Sequence, residues 1–210
     1  MSNLDEETPP PPPTIIITKT AKADYPIHEL IAKRWSARAF STRPVEKSKL
    51  LSILEAARLA PSSRNEQPWR YIIFTNDNPE KLKNAQSVLK DINNYAKRAP
   101  ILICSITKKT YSDNGNYNRL HFHDFGAANE NMFLESFNQG IIMHEMGGFH
   151  VQRDREVFNI PEDSEVGIMI GYQDTHDVLP ESLRQKAFIP RERKLLSEIA
   201  FLEELGNGIS

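Results

Sequence analysis

Arg34-Trp35-Ser36-Ala37-Arg38 places two guanidinium groups and a hydroxyl within five residues. Arginine is always charged and offers forked donors that match phosphate oxygens, and Ser36 can add a neutral hydrogen bond. The same residues also fit the end of a helix, where the backbone dipole favours cations. A second basic cluster, Arg191-Glu192-Arg193-Lys194, follows Pro190 far down the chain. By itself it reads as a solvated charge run. Joined by folding to Arg34 and Arg38, it would neutralise a phosphate monoester, whose charge is near −2.

Two further stretches are rich in groups that hold flat, polar molecules. Ala60-Pro61-Ser62-Ser63-Arg64-Asn65-Glu66-Gln67-Pro68-Trp69 carries two hydroxyls and two side-chain amides between two prolines, more donors and acceptors than a connecting loop needs. Glu145-Met146-Gly147-Gly148-Phe149 contains adjacent glycines, which allow backbone to approach a planar ligand and leave N–H groups available as donors. A satisfied loop and a plain tight turn are the competing structural readings of these two stretches.

Other chemistry-bearing residues point less far. His121, His123 and His144 suggest a metal site, but side chains two apart on a helix face different directions, so His121 and His123 do not converge. We expect no metal; His121 or His123 suits a pocket or interface, and His28, His150 and His176 suit the surface. The single cysteine, Cys104, excludes an intrachain disulfide and sits in an apolar run that reads as a buried strand.

The elements that must position these groups follow from periodicity. Apolar residues at helical spacing predict a helix beginning at Pro26, another over Val45–Leu59 that Pro61 stops, and a long central helix over Asn118–Gln139 ended by Gly140. Pro79–Tyr95 reads as a polar helix and Val151–Phe158 as a shorter one. Strands are expected at Tyr71–Thr75, Ile101–Thr107 and Glu165–Tyr172, with a short apolar piece at Ile141–Met143. Helices and strands without strict alternation indicate an α+β fold.

Length and composition suit a single domain: 210 residues, 39% hydrophobic and 26% charged, leave room for a core. A net charge of −2 gives no general attraction for nucleic acid or an anionic membrane, and no run approaches a membrane span. The expected setting is the reducing cytoplasm. Residues 1–23, with Pro9 to Pro13 and then Ile15 to Ile17, read as a flexible, proline-rich arm, and 24–210 as the domain. The charged tail from about 173 to 210 carries Phe188, Leu195, Leu196, Ile199, Phe201 and Leu202, enough apolar surface to wrap a neighbouring subunit.

In this order, Arg-x-Ser-x-Arg-x-Phe (Arg34 to Phe40), Pro-Ser-Ser-x-Asn-x-Gln-Pro-Trp (Pro61 to Trp69), Gly147-Gly148-Phe149 followed by Pro161, the strand at Glu165 to Gly171, and Arg-x-Arg-Lys-x-Leu-Ser-Glu (Arg191 to Glu198) resemble the nitroreductase family of FMN-dependent oxidoreductases. The resemblance covers about residues 26 to 200. It implies a nitroreductase-like fold: a central, mostly antiparallel sheet flanked by helices in an intertwined homodimer. It further implies that Arg34, Ser36, Arg38, Arg191 and Arg193 hold the FMN phosphate and ribityl chain, with Trp35 contributing backbone. Pro61, Ser62, Ser63, Asn65 and Gln67 would reach the same flavin from the opposite subunit. Met146, Gly147 and Gly148 would lie along the isoalloxazine near N5 and O4. A carboxylate that some relatives carry at the Gly147 position is absent. Asn93 and Asn94 are the two candidates for a family amide near the pyrimidine edge.

The implied activity is a ping-pong cycle in which NADH or NADPH reduces the flavin and a small-molecule acceptor, such as a nitroaromatic, quinone or conjugated carbonyl compound, reoxidises it. No side-chain acid or base is nominated, because a flavin carries the electron chemistry itself. The same phosphate clamp would serve a flavin-binding storage or sensing module with little turnover, and a third reading is an α+β dimer whose basic tails are unrelated.

Overall fold

A computed structural model describes residues 19–160 and 167–209. The proline run, Ile15 to Ile17, Pro161 and Glu165 lie outside the described residues. Among the described residues, four strands, β1 (Trp69–Thr75), β2 (Ile101–Thr107), β3 (Ile142–Met146) and β4 (Gly167–Gly171), form one antiparallel sheet in the order β1-β2-β4-β3. The α-helices described with it are α1 (Glu29–Lys33), α2 (Lys47–Arg58), α3 (Pro79–Gln86), α4 (His121–Asn138), α5 (Val151–Phe158) and α6 (Glu181–Ala187).

β2 explains the layering. Its run Ile-Leu-Ile-Cys is apolar at every position because both faces of the sheet are covered. Leu102 points into a cluster with Trp35, Phe40, Tyr95 and Met146, whereas Ile101 and Ile103 point into a second with Ile53, Trp69, Phe125 and Met132. Successive residues of a strand face opposite ways, so one strand seals two cores. Cys104 is buried in β2 as its setting predicts.

α4 forms the floor of the second core. Phe125, Ala128 and Met132 are buried at steps of three and four, with Phe133 beside Met132, in one cluster with Leu50, Ile53 and Ala57 of α2. Gly140, at φ 71°, adopts the left-handed geometry that ends the helix where the sequence places its stop.

Three expectations change. The helix expected from Pro26 is only the five residues of α1, with the His28 ring accepting from Leu30 N as its N-cap. The helix expected over Pro79–Tyr95 ends at Gln86. Lys90 N donates to Gly148 O at 3.1 Å and His150 N to Val88 O at 2.8 Å, so backbone bonds to the Gly-Gly segment replace helical ones, and 3₁₀ turns follow over Asp91–Arg98. The short apolar piece at 141–143 extends through Glu145 and Met146 as β3. Ahead of α1, Ala21 N donates to Ala32 O at 2.8 Å, and Lys19 reaches the tail.

Candidate functional site

The chain leaves α1 in extended form, with Arg34 at φ −58° and ψ 130°. This is the local event that builds the site. Trp35, Ala37 and Ala39 turn into the core while Arg34, Ser36 and Arg38 stay half-buried, so the spacing of two places both arginines and the serine on one outer face. The segment is held at its far end by Ser41 N bonding Tyr172 O and Asp174 N bonding Ala39 O, each at 2.8 Å, just past β4.

Against that face lies a cleft of about 310 Å³ lined by Lys19, Arg34, Trp35, Ser36, Arg38, Lys186, Ile189, Pro190, Arg191 and Arg193. The two basic clusters of the sequence therefore meet, with Lys19 and Lys186 added and no carboxylate in the lining. The lining concentrates positive charge on a chain of net charge −2. Two of the arginines are also anchored. The Arg34 guanidinium lies 5.0 Å from the Phe133 ring and 3.5 Å from Glu130, and Arg191 Nη1 donates to Lys19 O at 3.0 Å and Ala32 O at 2.7 Å. Both Arg191 bonds come from Nη1, leaving the Nη2 and Nε donors for a ligand. Burial, then the neighbouring Arg34 and Arg193, lowers the Arg191 pKa.

The cleft rests on an aromatic stack. Trp35 is parallel to His176 at 6.5 Å, and His176 meets Phe188 at 5.6 Å. His176 is therefore buried rather than a surface residue, a correction that follows from the tail folding back beneath Trp35. Burial lowers its pKa, with Lys19 adding to the effect and Asp177 opposing it.

Behind Arg38, His144 on β3 bonds Ala37 O through Nδ1 at 3.0 Å and Tyr95 Oη through Nε2 at 3.1 Å. A carbonyl only accepts, so Nδ1 carries the proton and Nε2 accepts from Tyr95. Burial pushes the imidazole pKa down to about 4; the Ala37 bond opposes this and the Arg38 charge reinforces it. The Arg38 guanidinium in turn lies 6.0 Å from the centre of the Tyr95 ring.

Two residues beyond His144, Met146 is buried in the same apolar cluster as Trp35, and Gly147 is exposed. A Cβ at Gly148 would stand 2.7 Å from Asn93 Nδ2, which donates to Gly148 O at 2.8 Å, so a side chain there would displace that amide. Of the two asparagine candidates, Asn93 is the one fixed to this turn. On the outer side of β3, Tyr71 Oη donates to Asn129 Oδ1 at 3.0 Å and Asn129 Nδ2 to Glu145 Oε1 at 2.5 Å. Desolvation raises the Glu145 pKa, opposed by the Asn129 bond.

Pro61, Ser62, Ser63, Asn65 and Gln67 do not line the cleft of their own chain. Their loop is nonetheless tightly built. Arg64, Asn65 and Gln67 all have φ between 50° and 56°, each costing a non-glycine residue about 1–2 kcal/mol. Compensation comes from the Ser62 hydroxyl accepting Gln67 N at 3.0 Å and the buried Asp124 carboxylate accepting Ser63 N at 2.9 Å. Glu66 also accepts both the backbone N and the hydroxyl of Ser112, at 3.0 and 2.6 Å.

Lys19, Lys186 and Tyr95 belong to this neighbourhood without having stood out in the sequence, and His144, which the sequence offered as a candidate metal ligand, braces the site through Ala37 O and Tyr95. Lys19 and Lys186 carry no local motif; only the fold brings them in. Of the histidines expected at a pocket or interface, His121 is buried beside Tyr117 and His123 is exposed next to Asp124. Among the described residues, no group of three His, Cys, Asp or Glu side chains is arranged to hold a metal ion, and no helix is long and apolar enough to cross a membrane.

Comparison with known proteins gives this arrangement its class. The family model described as "Nitroreductase family" matches residues 31–172, and the chain belongs to that family. A crystal structure of an oxidoreductase containing FMN superposes with a TM-score of 0.82 at 30% identity, covering 90% of this chain and 98% of the other. A nitroreductase family protein from Clostridium difficile 630 gives a TM-score of 0.64 at 29% identity over 84% of this chain and 98% of that one. In sequence, an oxygen-insensitive NADPH nitroreductase of Helicobacter pylori is 29% identical over 90 residues, 42% of this chain and 43% of that protein.

Proposed function

We propose that this protein is an FMN-dependent NAD(P)H oxidoreductase that works as a homodimer in the cytoplasm. The observation that carries the reading is the cleft where Arg34, Ser36 and Arg38 meet Arg191 and Arg193 with no carboxylate in the lining. That donor set suits a phosphate monoester dianion, the terminal group of FMN. Arg34, Arg38, Arg191 and Arg193 would hold the phosphate, Ser36 would add a hydroxyl bond, and Trp35 would offer backbone. Exposed Gly147, without a side chain, leaves room for the flat ring system to approach along Met146 to Gly148.

When bound, FMN supplies two-electron redox chemistry between NADH or NADPH and an acceptor such as a nitroaromatic, quinone or conjugated carbonyl compound. The protein's part is binding, orientation and electrostatics. The cationic cleft favours a ligand that gains negative charge during turnover, and neutral His144 buttresses Arg38 through Tyr95 without adding another charge. Donor and acceptor would occupy one pocket in turn, the basis of ping-pong kinetics.

The dimer is supported by exposed apolar side chains on the tail. Phe188 is 62% exposed, Leu195 62%, Ile199 60% and Leu205 89%, a burden that a single soluble chain gains by covering. The loop from Pro61 to Gln67, rigid yet outside its own chain's cleft, suits a contribution to the partner's site. The single cysteine, buried, fits a reducing compartment.

The test is reconstitution with FMN followed by anaerobic titration with NADH and with NADPH. Loss of the flavin's visible absorbance, recovery on adding a quinone or nitroaromatic, and parallel double-reciprocal plots are the expected results. Bound FMN that neither nicotinamide bleaches would make the chain a flavin-binding module instead.

A further inference from the structure

Lys19 stands outside residues 31–172, the part of the chain that matches the family model, yet it lines the cleft. Its Nζ donates to Ile189 O at 2.6 Å and Lys186 O at 3.1 Å, at the end of α6, and lies 5.0 Å from the centre of the Trp35 ring. Arg191 returns the contact by donating to Lys19 O at 3.0 Å. The segment before α1 and the segment after α6 thus hold each other by their side chains and carbonyls.

We propose that Lys19 is a further phosphate-binding residue of the cleft, supplied by the segment that precedes the family domain, and that its backbone carbonyl positions Arg191 for the same phosphate. This rests on the FMN reading of the cleft.

Two physical points favour a ligand role over a purely structural tie. An ammonium carries three donors, and two are used on carbonyls, so a third remains with the full charge. A tie between two carbonyls would also be served by a neutral donor, whereas a cation here is set against Arg38 and Arg191, whose charges, after burial, lower the Lys19 pKa. Crowding like charges is unfavourable, and a bound dianion offsets it. The aromatic face of Trp35 further favours a cation at this point.

FMN and riboflavin differ by the phosphate alone, so their affinities separate a phosphate contact from a general loosening. Full-length wild type, Lys19→Gln and Lys19→Arg are titrated with each flavin by fluorescence quenching, and thermal unfolding is recorded in parallel. Glutamine keeps an amide donor for the carbonyls and removes the charge. We expect Lys19→Gln to weaken FMN binding by about tenfold, in line with one charge-assisted contact, while leaving riboflavin binding unchanged, and Lys19→Arg to bind FMN close to wild type. Equal losses for both flavins, or no loss for FMN, would overturn the role of Lys19 in a protein that still binds FMN. A wild-type chain that binds neither flavin would overturn the FMN reading itself, and the role of Lys19 with it.

Discussion

Tyr95 Oη lies 3.1 Å from His144 Nε2, and this bond has only one direction, since the imidazole spends its proton on Ala37 O. His144 is thus a neutral strut between β3 and the 34–40 segment, and Tyr95 carries its support on to the side of Arg38.

This strut predicts an acid-sensitive fold. The ordinary imidazole pKa of 6.5 falls to about 4 in the folded chain, so the unfolded chain takes up a proton first. Stability from this group is complete above pH 6.5, declines as pH falls toward about 4, and then changes no further. The total loss is about 3 kcal/mol. Urea unfolding at stepped pH measures it, and His144→Asn, which retains a donor for Ala37 O, should flatten that part of the profile. An unchanged slope in the variant would assign the acid sensitivity elsewhere.

Arg191 and Arg193 should separate ligand binding from folding. Arg193 is exposed and bonds only the neighbouring Glu192 O, whereas Arg191 ties Lys19 O and Ala32 O. Arg193→Ala is expected to weaken FMN about tenfold with an unchanged melting temperature. Arg191→Ala should weaken FMN and also lower the melting temperature. Comparable destabilisation by both variants would contradict the anchoring role.

The loop carrying Ser63 depends on Asp124, whose buried carboxylate accepts Ser63 N. Asp124→Ala leaves that N–H without its acceptor and should cost about 1–3 kcal/mol, with faster proteolysis between Pro61 and Pro68. Asp124→Asn keeps an acceptor oxygen and should cost less. If alanine leaves cleavage and stability as in wild type, the left-handed residues Arg64, Asn65 and Gln67 are held by other contacts.

The exposed tail should control assembly. Leu195→Glu places a charge on a side chain 62% exposed in the single chain, so it should leave the monomer fold intact and shift sedimentation from dimer to monomer. FMN retention should fall with the dimer, because the Pro61 loop would then be missing from the site. A variant that remains dimeric and retains FMN would move the interface off this surface.

Much of this fold could be read in advance because its strongest signals are local. The unbroken apolar run from Ile101 to Cys104, the helical steps from Phe125 to Phe133 and the stop at Gly140 each depend on near neighbours. The conjunction of Arg34, Ser36 and Arg38 with Arg191 and Arg193 was legible through chemistry, since separate arginine clusters suit one phosphate. What escaped was set by distant partners. Lys19 gains its place from carbonyls near residue 190, His176 is buried only because Trp35 and Phe188 enclose it, and α3 ends where the Gly148 backbone competes for its next residues. No local pattern encodes those events.

The strand order has a consequence for how the chain is made. β4 is synthesised after β1, β2 and β3, yet it lies between β2 and β3, pairing Ile101 with Ile170 and Met146 with Gly167. A nascent chain that has not reached residue 167 therefore presents Ile101 to Cys104, an apolar edge, without its native neighbour. Such an edge pairs readily with other chains. Release before that point, by a premature stop or a stalled ribosome, would yield an aggregation seed rather than a partly active enzyme.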